Sequence, residues 1–242
     1  MRIGGEMMEK DRGARVIAIV ALLVGVVGLS VGFAAMSSTL NINSTAEVNP
    51  DENDFTVQFS TNQSTIEGTT VSPTTTGTGA TAEAATISNG VKSSTISGLH
   101  ANFTEPGQTA TYTFYAVNGG KYTAYLNSIA FGDATGAAAS ATDKFKVCTK
   151  GEDTTESTVN GANGACNGIS LKISVGTLSD LTSTTTSPDL TNISGHSLAP
   201  FGSTGNGELI TVTITYADDA NRADGDFDVT FGDITLTYGA VD

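Results

Sequence analysis

The chain of 242 residues has no tryptophan, two histidines, two cysteines and five prolines. Only 11 of its side chains are basic, against 25 acidic ones. Each scarcity removes a class of function. With so few lysines and arginines there is little to neutralise phosphates, so nucleic acid and anionic lipid are excluded as partners. Two histidines, His100 and His196, form no His-x-x-x-His pair and no metalloprotease motif. There is no Gly-x-Ser-x-Gly elbow or other local nucleophile signature. No catalytic residue is assigned, and a non-enzyme is expected. Both histidines read as surface loop residues. No amphipathic helical period occurs beyond residue 36, which argues against an α or α/β domain.

What is present begins with a charged head, Arg2 to Arg15, that runs into an uncharged apolar stretch from Val16 to Met36. Such a stretch directs the chain into or across a membrane, so the remainder is expected outside the cytoplasm, extracellular or on the cell surface. Its length suits a bilayer core of roughly 30 Å and exceeds the roughly 7–15 residues of a usual signal core. Gly32 and Ala34 place small side chains at −3 and −1 of a cut between Ala34 and Ala35, where an export signal peptidase would act. Residues 1–34 are then a signal peptide. Two alternatives stay open. One is a permanent anchor through residues 16–36. The other is a pilin-type cut after Gly13, which lacks the usual acidic residue just beyond it. The first 34 residues hold four basic and three acidic side chains, so the remainder carries seven against 22, a net charge of −15.

Beyond the apolar stretch the signal is alternation of period two. Leu40, Ile42, Ala46 and Val48 share one face. Phe55, Val57 and Phe59 follow, then Tyr112, Phe114 and Ala116, then a strand within Tyr122–Phe131. Leu171, Ile173 and Val175 alternate with polar residues, as do Ile210, Val212, Ile214 and Tyr216. Phe227, Val229 and Phe231 lead into Ile234, Leu236 and Tyr238, with a change of parity at Gly232-Asp233 that predicts a bulge or bend. With weaker runs near Ile87–Val91, Ile96–Phe103 and Phe145–Cys148, nine to ten strands are expected. That is the inventory of an all-β, jelly-roll-like sandwich. Two Thr-rich tracts, Thr69–Ala82 and Leu181–Pro188, read as exposed loops. The domain is placed at residues 49–242, with 35–48 as a separate N-terminal strand.

Two features invite chemistry. Cys148 and Cys166 are an isolated pair in an exported chain, and the default reading is a disulfide. Asp218, Asp224, Asp226 and Asp228 are the one cation candidate, a calcium site by ligand type, although they do not match the EF-hand spacing. The competing reading is a polar hairpin turn, with no cofactor.

Three segments together carry a resemblance. They are the export stretch ending Gly32-Phe-Ala-Ala-Met-Ser-Ser, the run from Leu99 through Pro106-Gly107 to Gly119-Gly120, and the closing strands Leu209–Tyr216 and Phe227–Tyr238. In these the chain resembles the TasA/camelysin family of secreted bacterial matrix-fibre (biofilm) proteins and their archaeal pilus relatives. The resemblance implies a jelly roll that forms a homopolymer, the N-terminal strand of one subunit completing the sheet of the next. The cysteine pair and the Thr-rich loops depart from the family pattern, and the chain has no zinc motif to support the metallopeptidase label given to camelysin-type members. Residues 35–48 suit donation: they carry the apolar face Leu40, Ile42, Ala46 and Val48, no proline, and the single charge Glu47. The expected function is a secreted structural subunit of an extracellular fibre or matrix. The alternative is a membrane-anchored, monomeric cell-surface module that binds a ligand such as glycan.

Overall fold

The structure is a computed structural model that describes residues 13, 15–24, 56–90, 92–138, 144–150, 165–178, 181–183, 193, 195–219 and 224–239. The chain divides into two units, Met1–Val48 and Asn49–Asp242. In the first, residues 15–24 are helical. Among the described residues no helix is long and apolar enough to cross a membrane. Ala34, Ala35 and the strand residues Leu40, Ile42, Ala46 and Val48 lie outside the described residues.

The second unit is all-β and antiparallel, its strands numbered β1–β16 along the chain. One sheet has the order β1 (Val57–Ser60), β8 (Thr109–Asn118), β14 (Gly207–Tyr216), β11 (Ile169–Val175) and β12 (Leu181–Ser183), with β3 (Thr74–Thr76) also on β8. The alternation read from the sequence explains its centre. Ile210, Val212 and Ile214 of β14 stand opposite Phe114, Tyr112 and Ala110 on one side and Val175, Ile173 and Leu171 on the other. All nine are buried. Their in-register apolar face is what fixes the pairing, because a slip of one residue would turn every one of them to solvent. Each Ile, Val or Phe so buried contributes roughly 1.5–3 kcal/mol. On the opposite face Thr211, Thr213 and Thr215 pair with Thr113, Thr111 and Thr109, where β-branched side chains suit a pleated surface.

The other layer consists of two sheets that share a bend. One runs β13 (Ser197–Leu198), β9 (Ala124–Phe131), β16 (Ile234–Gly239), β6 (Ser93–Ser97), β5 (Ala85–Asn89) and β2 (Thr70–Val71). Its companion runs β10 (Lys146–Lys150), β15 (Phe227–Phe231), β7 (His100–Phe103) and β4 (Thr81–Ala82). The parity change expected at Gly232-Asp233 is the point where β15 passes into β16. On the neighbouring strand, Gly98 at φ 74° separates β6 from β7. Gly232 cannot be replaced without movement, since a Cβ there would meet the Gly132 carbonyl. Bonds cross the bend from Phe231 N to Leu99 O (2.9 Å) and from Gly232 N to Phe145 O (2.8 Å).

Among the described residues there are sixteen strands, many of them short, where nine to ten were expected. Two long strands are broken at the bend, and the Thr-rich tract Thr69–Ala82 supplies β2, β3 and β4 rather than one exposed loop. Threonine's β-branched side chain favours extended backbone wherever a neighbouring strand offers a ladder. Likewise Leu181–Ser183 pairs with β11. One core cluster draws on all three sheets. Tyr216 of β14 meets Phe103 of β7 and Phe227 of β15, at ring separations of 6.3 and 5.9 Å.

Candidate functional site

Four side-chain clusters bear on function. The cysteine pair is the simplest. Cys148 lies in β10 and Cys166 in a helical turn, Ala165–Gly168, just before β11; the two are disulfide-bonded, with Cα atoms 5.7 Å apart. The bond ties β10 of the bent layer to the strand that enters the flat sheet. Lys146 reinforces the join by donating to Cys166 O (2.7 Å) and Ile169 O (2.8 Å). Closing a loop of this length stabilises by about 3 kcal/mol in the chain-entropy account. The Cys148→Ser, Cys166→Ser double variant should lose about that much in urea unfolding, and unreduced peptide mass spectra of the parent should show the cross-link. An unchanged midpoint would refute the staple.

The aspartates separate. Asp226 and Asp228 converge on one group, the Asn102 side-chain amide, whose Nδ2 donates to Asp226 Oδ1 and, at 3.1 Å, to Asp228 Oδ1. Asp218 lies beside Gly107, and Asp224 is exposed. His100 of β7 stands over the pair, its Nε2 3.5 Å from Asp228 Oδ1, and its Nδ1 3.8 Å from Glu83 Oε1. Among the described residues no group of three or more His, Cys, Asp or Glu is arranged to hold a metal ion.

A third cluster has no counterpart in the sequence reading. Glu208 of β14 contacts His196 Nε2 through Oε2 and accepts from the Tyr238 hydroxyl at 3.1 Å through Oε1. The His196 and Glu208 side chains are each 11% exposed. His196 is therefore not the surface residue expected. Its ring turns inward because β13 anchors its segment to β9, with Leu126 N donating to His196 O at 2.9 Å. Burial, together with the nearby Glu208 carboxylate, raises the Tyr238 hydroxyl well above its ordinary range. Gly176 is required beside the pair, at φ +55°, since any Cβ would strike the Glu208 carboxylate.

No family model, curated protein or solved structure matches the chain. The functional reading therefore rests on the molecule's own chemistry, and the fourth cluster bears on it directly.

An exposed strand edge is a template for another strand. At β1 that edge is closed from within. Asn89 Oδ1 accepts from Phe59 N at 2.8 Å, and Asn89 Nδ2 donates to Phe59 O at 2.9 Å, so one amide side chain imitates the next strand. Ser94 Oγ donates to Val57 O at 3.2 Å. Both capping residues come from β5 and β6 of the opposite layer. No sequence signal marked this: Asn89 and Ser94 are ordinary polar residues of a polar strand pair.

Proposed function

We propose that this chain is exported and serves as a structural subunit of an extracellular fibre or matrix, with a jelly-roll-like sandwich and residues 35–48 as the strand given to a neighbour. The observation that carries the reading is the alternating apolar face of Leu40, Ile42, Ala46 and Val48 in the sequence ahead of the sandwich. An apolar strand face needs a sheet, and a second copy of the chain offers one. Threonine-clad outer faces, a disulfide and a strongly acidic composition suit a subunit that works outside the cell. The Asn89 and Ser94 caps refine the mechanism. They block addition at Val57–Phe59, so an incoming strand joins at another edge, and the blocked one is protected from indiscriminate pairing.

The test is Ile42→Asp. A charge placed in an apolar groove costs several kcal/mol. The variant should remain a folded, soluble monomer by circular dichroism and sedimentation, and should form no filaments by electron microscopy. Unfolding of the variant would assign the strand to its own sandwich. Normal filaments would refute strand donation.

A further inference from the structure

At one end of the sandwich a single buried side chain ties two loops together, and a third loop packs beside them. Asn118, the last residue of β8, is fully buried. Its Nδ2 donates to Tyr122 O (2.7 Å) and Ala199 O (3.0 Å), and its Oδ1 accepts from Gly120 N (2.9 Å). The loop after β8 and the loop before β14 are thereby fixed to each other, and Phe201 N donates to Gly120 O at 2.8 Å. The loop after β1 closes the third side. Gly207 lies so close to it that a Cβ would strike the Gln63 carbonyl. The 199–206 loop is ordered internally by bonds from Ala199 N to Gly205 O (3.0 Å) and from Ser203 N to Pro200 O (3.0 Å).

Between the loop after β1 and the loop before β14 is a solvent-open groove of about 430 Å³, within the size range of small-ligand sites. Its polar walls come from Gln63, Ser64, Ser203, Thr204 and Asn206, and its one large apolar group is Phe201. The Phe201 side of the groove is bare: Phe201 is 56% exposed, and no atom lies within 4 Å of where a Gly202 Cβ would be. Tyr122, 52% exposed, belongs to the loop after β8 and is not part of the groove lining. Each residue described in the lining is uncharged, in a chain of net charge −14.

We propose that this groove binds a neutral glycan. A pyranose presents an apolar C–H face and a rim of hydroxyls. The bare Phe201 ring offers a face for the first, and the amides, hydroxyls and main-chain groups of the walls match the second. The other ligand classes fit less well. Phosphates, nucleotides and uronates need a cation, and none of the residues described in the groove lining carries one. A lipid needs an enclosed apolar cavity. An extended peptide needs a strand edge or an apolar anchor pocket, and the groove has only a single open ring. Preformed loops keep the ordering cost of binding low. The inference stands whether or not the chain polymerises.

The full chain is applied to arrayed neutral oligosaccharides (glucose, galactose, mannose and N-acetylglucosamine homopolymers) beside uronic acid polymers and a peptide set. Neutral glycans should be retained in preference to the other two. Phe201→Ala should weaken that binding about tenfold, the scale of one lost ring contact. Ser64→Arg, which fills the groove from the opposite wall, should weaken it as much. Both positions are exposed, so melting temperatures should not change; were Phe201→Ala to lower stability, Ser64→Arg alone decides. Absence of neutral glycan binding, preference for peptides or uronates, or binding that survives Ser64→Arg would overturn the proposal.

Discussion

Glu208→Ala should destabilise the sandwich by about 2–4 kcal/mol, since each buried polar group left without its partner costs about 1–3 kcal/mol. The carboxylate serves two neighbours, His196 through Oε2 and the Tyr238 hydroxyl through Oε1. Glu208 belongs to one layer and Tyr238 to the other, so the contact spans the sandwich at one end of β14. Alanine would leave the Tyr238 hydroxyl buried without its acceptor and the imidazole without its partner, and each orphaned group carries its own desolvation cost. Glu208→Gln keeps the shape and one acceptor oxygen, so it should cost less, about 1–2 kcal/mol. Urea midpoints at constant m-value measure both. A loss below about 1 kcal/mol for the alanine variant would mean that water replaces the carboxylate freely and that the cluster does not hold the layers together.

That cluster shows where a sequence stops being readable. The strands β8, β11 and β14 were legible because period-two alternation is a local signal. Tyr112, Phe114 and Ala116 face inward as the pattern requires, and so do Leu171, Ile173 and Val175. The Gly232-Asp233 bend was legible for the same reason, as a break in parity. Thr69–Ala82 misled because repeated threonine resembles low-complexity sequence, while its β-branching favours the short strands that it forms. Glu208, His196 and Tyr238 could not be read at all. Their meeting depends on β13 lying beside β9 and on β16 facing β14, which no local pattern encodes. The Asn89 amide at the β1 edge is the same kind of case, a contact 30 residues apart in sequence and across two layers. The groove beside Phe201 is a third: its parts are loop residues of common type, brought together by the buried Asn118 and by the close approach of Gly207 to Gln63.

These long-range polar contacts also bear on how a fibre subunit would be controlled. A sandwich with long antiparallel edges is liable to stack without limit. Here one edge is occupied by Asn89 and Ser94, and β10 is bonded to the turn before β11 through Cys148 and Lys146. A strand added to this sandwich would have to join at an edge other than Val57–Phe59.

Raising the pH above about 10 should steadily destabilise the sandwich, through two tyrosines whose burial opposes ionisation. Tyr112 is fully buried and donates to Glu83 O at 2.9 Å and His100 O at 2.8 Å. Burial, with the Glu83 charge adding to it, pushes its hydroxyl from 10.0 up to about 12. Tyr238 is shifted in the same direction, well above its ordinary value, by burial and then by Glu208. In the unfolded chain both lose their protons near the ordinary value. Below pH 10 folded and unfolded states hold the same protons at these sites, and the contribution is intact. Above it the unfolded state holds fewer, so stability falls as pH rises. For Tyr112 alone the loss by pH 12 is about 2 kcal/mol, and Tyr238 adds to it. Denaturant titrations at pH 9, 10, 11 and 12 should therefore show a flat region and then a steep fall. The phenolate absorbance that Tyr112→Phe and Tyr238→Phe remove should arise together with the loss of β circular dichroism. Tyr112→Phe should start from a lower stability, having lost the one hydroxyl proton shared between Glu83 O and His100 O, yet decline less over the same interval. If both phenolates formed near pH 10 while the β signal persisted, burial would not be holding those protons, and the folded core would have to be open to hydroxide at both ends.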